Sequence, residues 1–172
     1  DILDAHLKHF KEGAPERFQV FGGVDWAKWQ ELGNQFPEWA AKRLHVQKER
    51  GAQGLKIWKP LGLHVKDHTG KLVDVDDERL SPIWETAGEL GFPVLIHVAD
   101  PVAFFDPIDE TNERWEEIGE HPDWAFTSPP FPSFMHIMNS FKNLVKRHAS
   151  TTFIGAHMGC YGENLGWVGQ ML

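Results

Sequence analysis

The chain has 172 residues, 25 acidic against 17 basic, for a formal net charge of −8 with histidine neutral, and 41% of it is hydrophobic. That is enough apolar material for the core of one domain. The acidic balance argues against the basic stripe that nucleic acids require, and no apolar run approaches the roughly 18 residues that cross a bilayer. The single cysteine rules out an internal disulfide framework and fits a reducing, cytoplasmic setting. Ten histidines and eight tryptophans stand out in so short a chain.

In chain order, residues 1–12 read as the tail of a helix closed by Gly13 and Pro15. Residues 18–21 (FQVF) predict a short strand that ends in the loop 22–26. Phe36, Trp39, Ala40 and Leu44 recur at helical spacing and predict a helix over 36–50, with Gly51 at its C-terminus. A second strand follows over 54–58 (GLKIW), and then residues 61–75 predict a hairpin turning at His68, Thr69 and Gly70. A helix over 81–91 presents Ile83, Trp84, Ala87 and Leu90 on one face, ahead of a third strand, PVLIHV, at 93–98. Residues 99–132 form a long loop rich in Pro and aromatics, with a short helical stretch at 110–118. The clearest helix is 133–148, an apolar stripe from Phe134 to Val145 behind a Ser133 N-cap. TTFIGAH at 151–157 is the fourth strand, and the tail 163–172 is helix-like. Alternating strands and helices predict an α/β fold with a parallel sheet.

Each of these strands ends in, or contains, an ionisable group: Asp25 after the first, Lys56 inside the second, His97 in the third and His157 ending the fourth. Buried strands carry such groups at a cost of several kcal/mol unless they are paired or ligated. Neighbouring parallel strands converge on one mouth, so the four groups can meet in space. Two imidazoles there suit a divalent metal, or one ligand plus one general base; alternatively each caps the core by bonding a backbone carbonyl. Gly155 behind His157 leaves room for close packing or a ligand. Lys56 either binds an anionic substrate group, is carboxylated to a metal-bridging ligand, or extends its ammonium to the mouth. Lys59 is a solvated or substrate-facing loop residue, and Asp25 and Asp100 read as caps of the following turn or helix. His6, His9, His45, His64, His68, His121 and His148 read as ordinary surface or partly buried residues, and Cys160 as a small buried thiol.

Three segments, residues 51–59 (GAQGLKIWK), 92–101 (FPVLIHVADP) and 151–159 (TTFIGAHMG), carry a resemblance. In this order the chain resembles the amidohydrolase superfamily, in its amidohydrolase-related branch of metal-dependent hydrolases and decarboxylases. The resemblance implies a partial (β/α)8 TIM barrel, about strands 3 to 6 with their helices. It makes His97 a metal ligand and His157 either a metal ligand or the residue that orients and deprotonates an attacking water. Lys56 falls where some superfamily members have a carboxylated lysine. The family's first-strand His-x-His pair and its eighth-strand Asp have no counterpart in these residues.

A complete barrel needs about 250 residues, so residues 1–172 are expected to be the central portion of one barrel domain, without its N- and C-terminal strands. A half-barrel completed by dimerisation is the alternative. The implied cofactor is a divalent ion, zinc ahead of manganese, held weakly or not at all by this portion alone. The implied partner is a small molecule, aromatic or carboxylate-bearing, with a homodimer as the expected full-length assembly and no nucleic acid or membrane. The implied reaction is hydrolysis of an amide, lactone or ester by a metal-activated water, with non-oxidative decarboxylation as the alternative. A non-catalytic α/β module that binds a small anion is the competing class.

Overall fold

Leu55 and Ile57 on one strand, and Val94 and Ile96 on the next, alternate with less buried positions. That two-residue period decides which face of a sheet is dry. The computed structural model describes residues 1–99 and 101–171. Among them, β1 (Phe21–Gly22), β2 (Gly54–Ile57), β3 (Val94–Ile96) and β4 (Phe153–Gly155) form one four-stranded parallel sheet in chain order. The register pairs Leu55 with Val94 and Phe153, and Lys56 with Leu95 and Ile154. No helix among the described residues is long and apolar enough to cross a membrane.

The helices follow the predicted order. α1 (Ile2–His6) runs on into a wider π turn over Leu7–Lys11, and none of these residues is buried. α2 (Lys28–Leu32) and α3 (Phe36–Glu49) separate β1 from β2, and α4 (Ser81–Glu89) separates β2 from β3. α5 (Trp115–Glu120) and α6 (Phe134–Arg147) lie between β3 and β4. Leu55, Ile57, Val94 and Ile96 are fully buried in one cluster with Leu44 of α3, Ile83 and Trp84 of α4, and Phe141 and Leu144 of α6. Burying each such side chain is worth about 1.5–3 kcal/mol. The opposite face stays open, with Lys56 and Leu95 half-buried and Ile154 44% exposed. Strands followed by helices on one side, in unbroken parallel order, make this a segment of a (β/α)8 barrel wall.

Local chemistry explains the agreements and the departures. Ser133 caps α6 as expected, its Oγ accepting from the His136 N–H at 3.2 Å. The first strand overlaps its predicted span only at Phe21, because pairing needs the glycine opposite: a Cβ at Gly54 would lie 2.7 Å from the Phe21 ring. Gln47 of α3 closes that strand's end, donating from Nε2 to the Gly23 carbonyl and accepting from the Gly23 N–H. α2 was not expected from periodicity, being only five residues long. Trp29 decides it, buried flat against Phe36 (centroids 4.6 Å apart, 16° between planes) with the Arg79 guanidinium 5.1 Å from its ring.

The predicted hairpin over 61–75 is reduced to one antiparallel bridge, Lys66 with Leu72. A buried carboxylate organises it instead. Asp67 accepts from the N–H and hydroxyl of Thr69, from the Lys71 N–H, and from Arg79 Nη1 at 2.8 Å. The Thr69 hydroxyl, then Arg79, hold its carboxyl well below the usual carboxylate range. This clamp fixes the segment that follows β2 over the end of the sheet.

Candidate active site

Beyond the ends of β3 and β4 the backbone leaves ordinary geometry. Among the described residues, the non-glycine residues with left-handed φ are Ala99 (56°), His157 (48°), Met158 (55°) and Cys160 (64°). Such a conformation costs on the order of 1–3 kcal/mol where it falls in a sparsely populated region, and it gathers at functional sites. His157 was expected to end the fourth strand. It lies instead in the turn that follows, α7 (Ala156–Gly159), which precedes the short helix α8 (Leu165–Val168). The turn is tight because two glycines meet: a Cβ on Gly155 would stand 2.7 Å from the Gly159 Cα. Gly155 therefore serves close packing.

Cys160, fully buried, carries the turn back onto β3. Its Sγ accepts from the Val98 N–H at 3.4 Å and donates to the Ile96 carbonyl at 3.8 Å. The His97 N–H donates to the Ile57 carbonyl at 3.1 Å, extending the sheet by one bond. These anchors bring His97 and His157, distant in sequence, to a ring-centroid separation of 4.6 Å with 59° between planes. Lys56 lies in register with Leu95, two residues before His97, with its Nζ 4.6 Å from the Trp58 ring centroid. Burial lowers the pKa of its ammonium. Asp25 is exposed and contributes its backbone carbonyl, not its carboxylate, to the start of α2. Asp100 lies outside the described residues.

His157 also faces a cavity of about 880 Å³, which Lys59, His64, Phe104, Arg114 and Phe126 help to line. Residues 101–132 roof it and carry a small core of their own. The Phe126 N–H donates to the Phe104 carbonyl at 2.6 Å, and the buried Asn112 amide donates to the Ala103 and Pro107 carbonyls. Phe104, Phe126 and Ile118 are buried, so these aromatics pack the roof while forming part of the cavity wall. Arg114 is paired with Glu117 at 3.0 Å, and Lys59 Nζ lies 5.1 Å from the Phe104 ring centroid. Lys56 is not among the lining residues.

Sequence reasoning passed over His64 and Arg114. LGLHV carries no signal for His64: residues 61–64 form a turn rather than a strand, and Leu63 and His64 line the same cavity. His68, read with it, is exposed and outside the cavity, as are His6, His9, His45 and His121. Two neighbouring imidazoles are donors that a divalent ion accepts, but zinc takes three or four protein ligands. Among the described residues no group of three or more His, Cys, Asp and Glu side chains could hold a metal. His97 and His157 thus fit part of a ligand set.

No protein of curated function matches the chain in sequence. Two solved structures are similar to it over 92% of its length. One is 2,6-dihydroxybenzoate decarboxylase complexed with 2,6-dihydroxybenzoate, at 19% identity and a TM-score of 0.56. The other is 2,6-dihydroxybenzoate decarboxylase from Rhizobium, at 18% identity and a TM-score of 0.56. At those identities the likeness shows the fold, and the chain spans 44% of the length of each. The model of the family described as Amidohydrolase matches residues 14–172. The chain therefore belongs to the amidohydrolase family of enzymes, which are typically metal-dependent.

Proposed function

We propose that this chain forms the central wall of the active site in a metal-dependent lyase that removes CO2 from an aromatic carboxylate without redox change. One observation carries the reading: the His97–His157 pair, 4.6 Å between ring centroids, opens through His157 onto an aromatic-walled cavity with Lys59 and Arg114 at its sides. Cavities of about 300–1,000 Å³ hold ligands of drug size, mostly apolar with a few polar groups that fix orientation. The similar decarboxylase structure holds 2,6-dihydroxybenzoate, an acid of the kind such walls accommodate, which supports the reading.

His97 is the residue of this chain that would hold the ion, zinc or manganese, while His157 beside it faces the cavity and works on the substrate. When bound, the ion supplies Lewis-acid charge toward a carboxylate or a water. Lys59 stands at the cavity wall as a point charge for an anionic group, and Lys56 adds a second positive charge within the sheet near the mouth, while Arg114 is paired with Glu117. Phe104 and Phe126 give the ring an apolar surface. In decarboxylation the ring carbon that bears the carboxylate gains a proton, and CO2 leaves. The electron pair of the breaking C–C bond restores the aromatic ring. An imidazole nitrogen of His157, facing the cavity, carries that proton. Hydrolysis of an amide, lactone or ester through a water oriented by His157 is the second reading, supported by the place of His157 in the cavity lining.

The test uses the full-length protein offered hydroxybenzoates in one series, and amides, esters and lactones in another. CO2 release from the first series is the expected result, with His157→Ala lowering kcat by about 100-fold or more. Hydrolysis of the second series without CO2 release would establish the other reading. His97→Ala is expected to lose bound divalent metal by elemental analysis; unchanged occupancy would remove His97 from the ligand set.

A further inference from the structure

The cavity wall that faces the roof belongs to the segment after β2, and its polar groups are Lys59 and His64. Leu61, Leu63 and Val65 are buried beside His64, which is exposed, and from the turn over residues 61–64 its imidazole lines the cavity. The backbone there is tightly tied: the N–H groups of Leu63, His64 and Val65 all point to the Pro60 carbonyl, at 3.1, 2.7 and 2.9 Å. The Asp67–Arg79 clamp holds the far end of the same segment. The ring itself is gripped edge-on by two roof aromatics, Phe126 (centroids 5.8 Å apart, 70°) and Phe131 (5.4 Å, 82°). Its orientation is set by the protein before any ligand arrives.

His64 and His157 thus line one cavity from loops that follow β2 and β4, two strands apart in the sheet. The volume of about 880 Å³ is several times the roughly 150 Å³ in which benzene binds, so there is room for a substituent beyond the ring. We infer that His64 is a specificity-determining residue that hydrogen-bonds a polar substituent of the aromatic acid, remote from the carboxylate held at the His157 end. This rests on the aromatic-acid reading above and goes beyond it by naming the group that selects among such acids. An imidazole serves this purpose whichever partner it meets, because one ring nitrogen donates and the other accepts. Phe104 and Phe126, both buried, offer the ring its apolar contact and carry no such discrimination.

The experiment measures binding of benzoate, 3-hydroxybenzoate and 4-hydroxybenzoate to the full-length protein by calorimetry, for wild type, His64→Ala and His64→Asn. In wild type, at least one hydroxybenzoate is expected to bind about fivefold tighter than benzoate, the factor a net hydrogen bond contributes. His64→Ala is expected to abolish that preference while leaving benzoate affinity within about twofold. His64→Asn, which keeps a donor and an acceptor, retains part of it. Thermal denaturation of each variant checks that the fold is kept. An undiminished preference in His64→Ala, or no preference in wild type that binds benzoate, overturns the role of His64 and leaves the aromatic-acid reading intact. Failure of wild type to bind any of the three overturns both.

Discussion

The helix-covered face of the sheet and the mouth beyond its strand ends are built from the same strands and obey opposite rules. On the covered face Leu55, Ile57, Val94 and Ile96 are fully buried in ordinary strand geometry, closed over by α3, α4 and α6. A few residues further along, His97 approaches His157 and the backbone turns left-handed at Ala99, His157, Met158 and Cys160. Apolar burial on one side supplies the stability that the strained side consumes. The division also explains why the residues that hold the fold are different from those proposed to do chemistry.

The largest test of this division lies in the core. Trp84 is fully buried, and Trp84→Ala is expected to cost about 3–5 kcal/mol in urea unfolding. His157→Ala, at the exposed mouth, is expected to change stability by less than about 1 kcal/mol. Equal losses from the two substitutions would dissolve the distinction between the regions.

A smaller effect separates two neighbours within the mouth. Gly159 has φ of 73°, and a Cβ there would lie 3.0 Å from Val168 Cγ1 and Met171 Cε. Gly159→Ala is therefore expected to destabilise by about 1–3 kcal/mol. Met158, with φ of 55° and 64% exposure, is the reverse case. Met158→Gly removes the strain and is expected to raise stability by up to about 1 kcal/mol, or leave it unchanged. A loss from Met158→Gly comparable to that of Gly159→Ala would mean the turn is not strained.

The smallest effect is a pH dependence on the covered side. His148, 6% exposed at the end of α6, has its Nε2 3.4 Å from Ser81 Oγ, and burial lowers its pKa below the ordinary 6.5. The unfolded chain then binds more protons than the folded one near that pH. The contribution is whole above about 6.5 and is lost as pH falls through the lowered folded value. The urea midpoint should decline between about pH 7.5 and 5, and His148→Gln should flatten this segment of the profile. An equally steep profile in the variant would place the titration elsewhere.

What could be read without coordinates was set by short-range pattern. The helix over 133–148 showed itself through its stripe and its serine cap, and both are present in α6. GLKIW and PVLIHV showed themselves as short apolar runs bounded by turn residues, and β2 and β3 lie inside them. α2 stayed hidden because five residues hold little more than one turn, and its reason, the Trp29–Phe36 stack, is a contact. His97 and His157 drew notice because imidazole is out of place in an apolar strand. His64 drew none, because nothing in LGLHV tells a residue facing solvent from one facing a cavity roofed by residues some forty to sixty-seven positions later.

By itself the sequence determined the alternation of strands and helices, the apolar faces that bury together, and two imidazoles near neighbouring strand ends. These follow from periodicity and from the cost of burying charge, which act over a few residues at a time. Only the tertiary structure decided that His157 stands in a left-handed turn, that Cys160 ties this turn to β3, and that Asp67 clamps the segment carrying His64. Each of those is a hydrogen bond or close approach between separate segments, whose geometry exists only once the loops have closed over the end of the sheet.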